Sequence, residues 1–292
     1  MIKVFTHFVF NRRTVWAGVI LGAAGIGAWI YQEYQILDGP TRNLTSWVEP
    51  KTNIPLIKME AGCFEMGDQQ DSGPLQGTPI HEVCLDPFWI GQFEVTQEQW
   101  SRIMDQDLAH FKGRDRPIES INFVEAEIFV KRLNQFYEGD PFTIPTEAQW
   151  EYACRAKGQA VRFGNGQNQA DPQHINFDGR AQFNMPYSKV GAYRSQTLPV
   201  GKTQPNSIKL FDFSGNVAEW VKDDYESLSY FNHTKKNPVN IGEKYLKVIR
   251  GGSWHDSPQE VRCQSRSGHV YEYRSNRIGF RIARKVSSTK GS

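Results

Sequence analysis

The sequence predicts an exported body of short strands and helices with a loop-rich second half, behind one N-terminal transmembrane helix. Three observations carry this. An uncharged run, Thr14–Tyr31, follows a basic N-terminal stretch. Three helix starts with capping-box chemistry lie between residues 96 and 155. After Lys157 helical periodicity vanishes, and Gly, Asn, Pro and aromatic residues dominate to the C-terminus.

A chain of 292 residues is one large domain or two small ones and can bury a core without staples. With 39% hydrophobic and 23% charged residues it is neither disordered nor collagen-like. The mean hydropathy of −0.57 excludes a multi-span membrane protein. Without Lys3, Arg12 and Arg13 the 34 basic residues fall to 31, against 32 acids. The body has no basic excess, which argues against a nucleic-acid partner.

In chain order, residues 1–13 carry only basic charge, and 14–31 is the anchor. As a helix those residues span ~27 Å, close to the hydrocarbon thickness. Trp16, Trp29 and Tyr31 suit the membrane interfaces, and the positive-inside rule puts the N-terminus in the cytoplasm and the body in the periplasm or an equivalent extracytoplasmic space. A cleavable signal peptide is the rival reading; it exports the body as well. Residues 32–54 form a polar linker, 55–285 the body and 286–292 a polar tail. Ile57–Gly67 reads as a strand entering a turn, and 68–80 as a Gly/Pro loop. Residues 81–96 alternate as two strands broken at Asp86-Pro87. Thr96 with Gln99 caps a helix over 97–104. Asn122 with Glu125 opens a second to about Tyr137, with Phe129, Leu133 and Phe136 at helical spacing. Thr146 with Gln149 opens a third through about Arg155. The irregular half after Lys157 needs disulfides, metal or packed aromatics to fix its loops.

Cys63, Cys84, Cys154 and Cys263 form no C-x-x-C motif, and an even count in an exported body points to two disulfides. Four cysteines allow three connectivities. Nearness in sequence pairs Cys63 with Cys84, leaving Cys154 with Cys263.

Two segments offer chemistry. Asp212-Phe-Ser-Gly-Asn-Val-Ala-Glu-Trp220 has hard oxygen ligands in Asp212 and Glu219 around a turn-forming Gly215, as a calcium site on irregular backbone needs. From spacing alone, a turn with two solvated acids is the simpler reading. Arg250-Gly-Gly-Ser-Trp254 allows close backbone approach and a pocket beside a large ring. Ser253, Trp254, His255, Asp256 and Glu260 are its pocket candidates, the last three as an acid–base set or metal site.

These segments occur in order with GCFEMG at 62–67, EVCLDPFWIGQFEVTQEQW at 82–100, IPTEAQWEYACRA at 144–156, LFDFSGNVAEW at 210–220 and GFRIA at 279–283. Over roughly residues 55–285 the chain resembles the formylglycine-generating enzyme family, the sulfatase-modifying-factor domain. The resemblance implies a single compact α+β domain, distantly like C-type lectins, with little regular secondary structure. It implies calcium held by Asp212, the Gly215 and Val217 carbonyls and Glu219. It implies a weaker second calcium at Asn176 and Phe177, where the expected acid near Gly191–Tyr193 is missing unless Asp178 substitutes. The family also bridges the regions of Cys154 and Cys263.

The chain departs from the family at the catalytic loop. The oxidases hold copper(I) between two cysteines just after the R-G-G-S-aromatic segment, and soft thiolates suit that ion. Here His255–Val261 contains no cysteine, so no copper is expected. None of the seven histidines forms the H-x-x-x-H-x-E iron motif of the sulfoxide-forming branch. The expected function is a membrane-anchored binding or accessory subunit of a membrane-associated complex. The alternatives are an exported non-copper modifying enzyme of the siderophore-maturation kind and, behind both, a true formylglycine-generating oxidase. Expected partners are the membrane, through the N-terminal helix, and a protein in the membrane or periplasm.

Overall fold

The computed structural model describes residues 45–68, 77–242 and 245–286. The anchor expected at 14–31, most of the linker and loop 68–80, and most of the tail lie outside the described residues. Among the described residues no helix is long and apolar enough to cross a membrane.

The body is mostly sheet with few helices. Strands β1 (Ser46–Glu49), β2 (Ile54–Met59), β5 (Phe88–Gly91), β6 (Phe142–Thr143) and β11 (Ala283–Lys285) form a sheet in the order β1-β2-β5-β11-β6. Strands β7 (Ala218–Asp224), β8 (Leu246–Arg250), β9 (Arg266–Val270) and β10 (Ile278–Phe280) form a second, ordered β10-β7-β8-β9. The hairpin of β3 (Gly62–Met66) and β4 (His81–Leu85) stands apart, with Cys63 directly opposite Cys84. The break at Asp86-Pro87 is real, and it sends β4 and β5 into different sheets. The linker ends earlier than expected. β1 pairs antiparallel with β2, and Glu49 is buried where it accepts the Thr52 N–H.

All three capping boxes form as the sequence requires, at Thr96, Asn122 and Thr146. Two of the helices they open, α1 (Gln97–Ser101) and α2 (Phe123–Asn134), are shorter than expected, while α3 (Glu147–Cys154) ends where expected, with Arg155 as its C-cap. Phe136 falls beyond α2 and is exposed, so the apolar spacing ran one turn past the buried face. On that face Phe129 stacks on Trp100 at 5.5 Å and meets Phe280 edge-on. Burying each such ring contributes about 1.5–3 kcal/mol.

The second half is less irregular than expected. β7 to β10 escaped notice because their buried faces carry charges that hide the alternation. Arg250, Arg266 and Arg281 are each almost fully buried. Arg266 grips both oxygens of Glu147 at 2.7 and 2.8 Å. Glu151 joins Arg155 to Arg250 at 2.9 and 2.6 Å. A buried charge is tolerable only when paired in this way.

Both expected disulfides are present, Cys63–Cys84 and Cys154–Cys263. The second ties the end of α3 to the loop after β8.

Candidate functional site

The site begins where β8 ends. Arg250 is fixed by the Glu151 carboxylate and by the carbonyls of Cys263, Gln264 and Ser265. The next two residues turn through positive φ, Gly251 at 87° and Gly252 at 61°. A Cβ on Gly251 would lie 3.0 Å from the Trp150 ring, and one on Gly252 2.9 Å from the Glu260 carbonyl. Only glycine fits both the conformation and the space. The turn folds the following loop back on itself.

Ser253 is buried, and both its N–H and its hydroxyl donate to Asp256 Oδ2 at 2.7 Å. The Asp256 carbonyl accepts from Asp178 N–H, which locks the loop to the 171–178 segment. Burial raises the Asp256 carboxyl above its ordinary value, and Glu260 adds repulsion.

Behind this loop lies a cavity of about 340 Å³, with Asp256, Glu260, Ser267, His269, Tyr273 and Arg277 on its walls and Ala218, Ile249 and Ile278 as its apolar part. His269 stacks on Tyr273 at 4.5 Å, and burial holds its imidazole below the ordinary value, toward the neutral base. Two carboxylates, an imidazole, a phenol and a guanidinium around one polar cavity can bind a small polar ligand and move a proton on it.

Of the five expected pocket residues, Asp256 and Glu260 line this cavity and Ser253 positions Asp256. Trp254 and His255 turn into a neighbouring aromatic group. Tyr193 stacks on Trp254 at 5.9 Å and its hydroxyl lies 2.6 Å from His255 Nδ1. Phe111 meets Trp254 edge-on, and Trp254 Nε1 donates to the Asn276 carbonyl. Sequence reasoning missed His269, Tyr273, Arg277 and Tyr193. The one available signal was the dense polar and aromatic run at 267–277, unlike a core strand.

Copper does not fit these residues. All four cysteines are in disulfides, and Cys263 bridges to Cys154, so none offers a thiolate.

The expected calcium ligands also fit poorly as arranged. Both Glu219 oxygens are taken, by Arg281 at 2.6 Å each and by Trp150 Nε1 at 2.8 Å. Asp212 accepts from Gly201 N–H and the Thr203 hydroxyl. A calcium ion at Glu219 must displace a guanidinium. At the second position, Asn176 Oδ1 is buried without a hydrogen-bond partner among the described residues, an oxygen free to serve as a neutral ligand. Asp178 does not supply the missing charge, because Arg180 holds both of its oxygens. One neutral side-chain oxygen is a weak set for a hard divalent cation.

The fold and this loop belong to one family. The model of the sulfatase-modifying factor enzyme 1-like domain matches residues 46–286, and the chain is a member of that family. Among its relatives is a formylglycine-generating enzyme of Streptomyces coelicolor, 25% identical over 83% of this chain and 93% of that protein. A chaperone protein, LppX, of Paenibacillus barcinonensis is 26% identical over 69% of this chain and 79% of its own length. The structure of PvdO from Pseudomonas aeruginosa superposes with a TM-score of 0.70 at 24% identity, covering 83% of this chain and 98% of that one.

Proposed function

We propose that the chain is a membrane-anchored, extracytoplasmic member of the family that works as a binding or accessory subunit of a membrane-associated complex, without copper oxidase activity. The observation that carries this is the pairing of an open polar cavity behind Arg250–Trp254 with a catalytic loop that has no thiolate. Such a site keeps the means to bind and lacks the family's means to activate oxygen. Two disulfides suit an oxidising compartment. The uncharged run 14–31 behind Lys3, Arg12 and Arg13 supplies the tether, with the N-terminus in the cytoplasm and the body outside the inner membrane. Tethering raises the effective concentration of a subunit beside its partner. The relative described as a chaperone protein is in keeping with a role that assists another protein.

A second reading, an exported non-copper modifying enzyme, is favoured by the cavity walls. Asp256, raised by burial, and His269, lowered by burial, could hold and accept a proton on a bound substrate.

Copurification from solubilised membranes separates the two. A stoichiometric protein partner supports the subunit, and a monomer carrying a bound small molecule supports the enzyme. Intact-mass measurement of the extracted chain tests the tether, since loss of the N-terminal run would replace it by a cleaved signal.

A further inference from the structure

We propose that the cavity behind Arg250–Trp254 binds a free α-amino acid with an apolar side chain, its ammonium group against Asp256 and Glu260 and its carboxylate on Arg277. The inference rests on the reading of that cavity as a binding site and names its ligand.

The cavity walls hold charges of both signs that do not neutralise one another by contact. Elsewhere inside the protein such charges are paired, and Arg250, Arg266 and Arg281 each hold a carboxylate. Asp256 Oδ2 takes both donors of Ser253 at 2.7 Å, while Oδ1 has no partner among the described residues and is not shut off from water. Glu260 is exposed, and its Oε2 accepts the Ser257 N–H at 2.8 Å, which leaves Oε1 open. The Arg277 guanidinium is half-buried, 5.8 Å from the centre of the Trp254 ring, and makes no hydrogen bond or ion pair among the described residues. Burial raises the Asp256 carboxyl, Glu260 adds to the rise and Arg277 opposes it. Arg277 therefore lies within electrostatic reach of Asp256 without closing on it, and the space between them is the cavity that both line.

The chemistry selects the ligand class. An ammonium group beside Asp256 and Glu260 offsets their repulsion, and the guanidinium fork of Arg277 matches two oxygens of one planar carboxylate. A free α-amino acid carries both charges on one carbon. The interior of a peptide carries neither, and a simple amine or a simple carboxylic acid meets only half of the site. Ala218, Ile249 and Ile278, the apolar part of the wall, suit a hydrocarbon side chain, and about 340 Å³ has room for a molecule of that size.

Titration calorimetry of the full-length chain in detergent with L-leucine, at constant ionic strength, tests the assignment. Two analogues each remove one charge: L-leucinamide lacks the carboxylate and 4-methylpentanoate lacks the ammonium. The expected result is saturable binding of leucine, with both analogues at least about tenfold weaker. Arg277→Gln should abolish the preference for leucine over leucinamide, and Asp256→Asn, which keeps the shape and loses the charge, the preference over 4-methylpentanoate. Absence of saturable leucine binding overturns the proposal, and so does an analogue that binds as tightly as leucine. Undiminished leucine binding in both variants places the ligand elsewhere and overturns it too. If Asp256→Asn does not fold, undiminished binding in Arg277→Gln alone does so, since that accessible guanidinium holds no other side chain. A failed titration removes the amino acid, while the subunit reading is judged separately by its copurifying protein partner.

Discussion

Arg281 holds Glu219 by both carboxylate oxygens, its Nε and Nη2 each 2.6 Å from a different one, inside the protein. The same guanidinium reaches the carbonyls of Gly91 and Phe211 and stacks on the Phe213 ring at 3.6 Å. It is also the cation that faces Glu94 and Asp212, whose carboxyls are both raised, first by burial and then by neighbouring acids. Arg281→Met therefore leaves three buried acids without their cation. It should destabilise the body by about 3–5 kcal/mol, read from urea unfolding. A change below about 1 kcal/mol would mean that the pair is not buried as described.

The same grip bears on calcium. With both Glu219 oxygens held by Arg281 and Trp150 and each Asp212 oxygen accepting one protein hydrogen bond, a chelator should leave the melting temperature unchanged. The measurement is a thermal melt with and without EDTA and added calcium. A calcium-dependent rise that Glu219→Ala removes would show that the ion displaces Arg281.

The two disulfides should differ in worth. Cys154–Cys263 closes a separation of 109 residues and Cys63–Cys84 one of 21. Replacing both members of the first by alanine should cost about 4–5 kcal/mol and of the second about 3 kcal/mol in the loop-entropy account. Chemical unfolding of the two double variants decides the order, and the reverse order would contradict the argument.

Acid should loosen the region around His233. Its Nδ1 lies 3.1 Å from His81 Nε2, its ring packs on Tyr230, and burial is the main cause that lowers its pKa from 6.5 to about 4. The unfolded chain therefore binds the proton more readily. The stability that His233 contributes is present above pH 6.5 and is lost as pH falls through about 4. Asp223 runs the other way, since burial first and Glu147 next push it up to about 7 and its share is lost as pH rises to that value. The expected readout is therefore a difference. Between pH 6.5 and 4 the wild type should lose on the order of 1–2 kcal/mol more than His233→Gln, the figure being reduced by solvent screening of a partly exposed ring. Parallel stability curves for the two proteins would remove His233 from the account.

Incubation with a cysteine-containing sulfatase-motif peptide, copper(I), reductant and oxygen should give no aldehyde above background by mass spectrometry. The loop from His255 to Val261 offers imidazole and carboxylates, and Cys263 is closed in a disulfide. Copper-dependent turnover would place catalytic thiolates that this structure does not contain.

What could be read in advance was local or covalent. Thr96 with Gln99, Asn122 with Glu125 and Thr146 with Gln149 act within one turn, so their patterns survive any tertiary context. The family motifs and the cysteine pairs were equally visible. The ends of α1 and α2 were not, because in α2 the apolar spacing continues through Phe136, although that ring stays exposed. β7 was hidden because Glu219, Asp223 and Asp224 sit buried in a strand that a hydropathy pattern reads as a charged loop. The cavity was only half legible. Asp256 and Glu260 follow a recognisable motif, whereas His269, Tyr273 and Arg277 reach the same space from β9 and the turn after it. The hold on Glu219 was not legible, because nothing in the spacing of Asp212 and Glu219 reveals that Arg281 arrives beside them.

The place of β11 has a consequence for timing. Ala283–Lys285, among the last residues of the body, lie between β5 and β6 rather than at an edge, joining a strand near residue 90 to one near residue 142. Until that segment is available, β5 lacks one of its two neighbours and β6 has none. A chain emerging N-terminus first cannot close this sheet while residues 283–285 are still inside the ribosome. The sheet is therefore completed only after residues 283–285 have emerged, long after β1 to β6. Removing Ala283–Lys285 would therefore part β5 from β6 in the middle of the sheet, where the same deletion at a sheet edge would merely fray it.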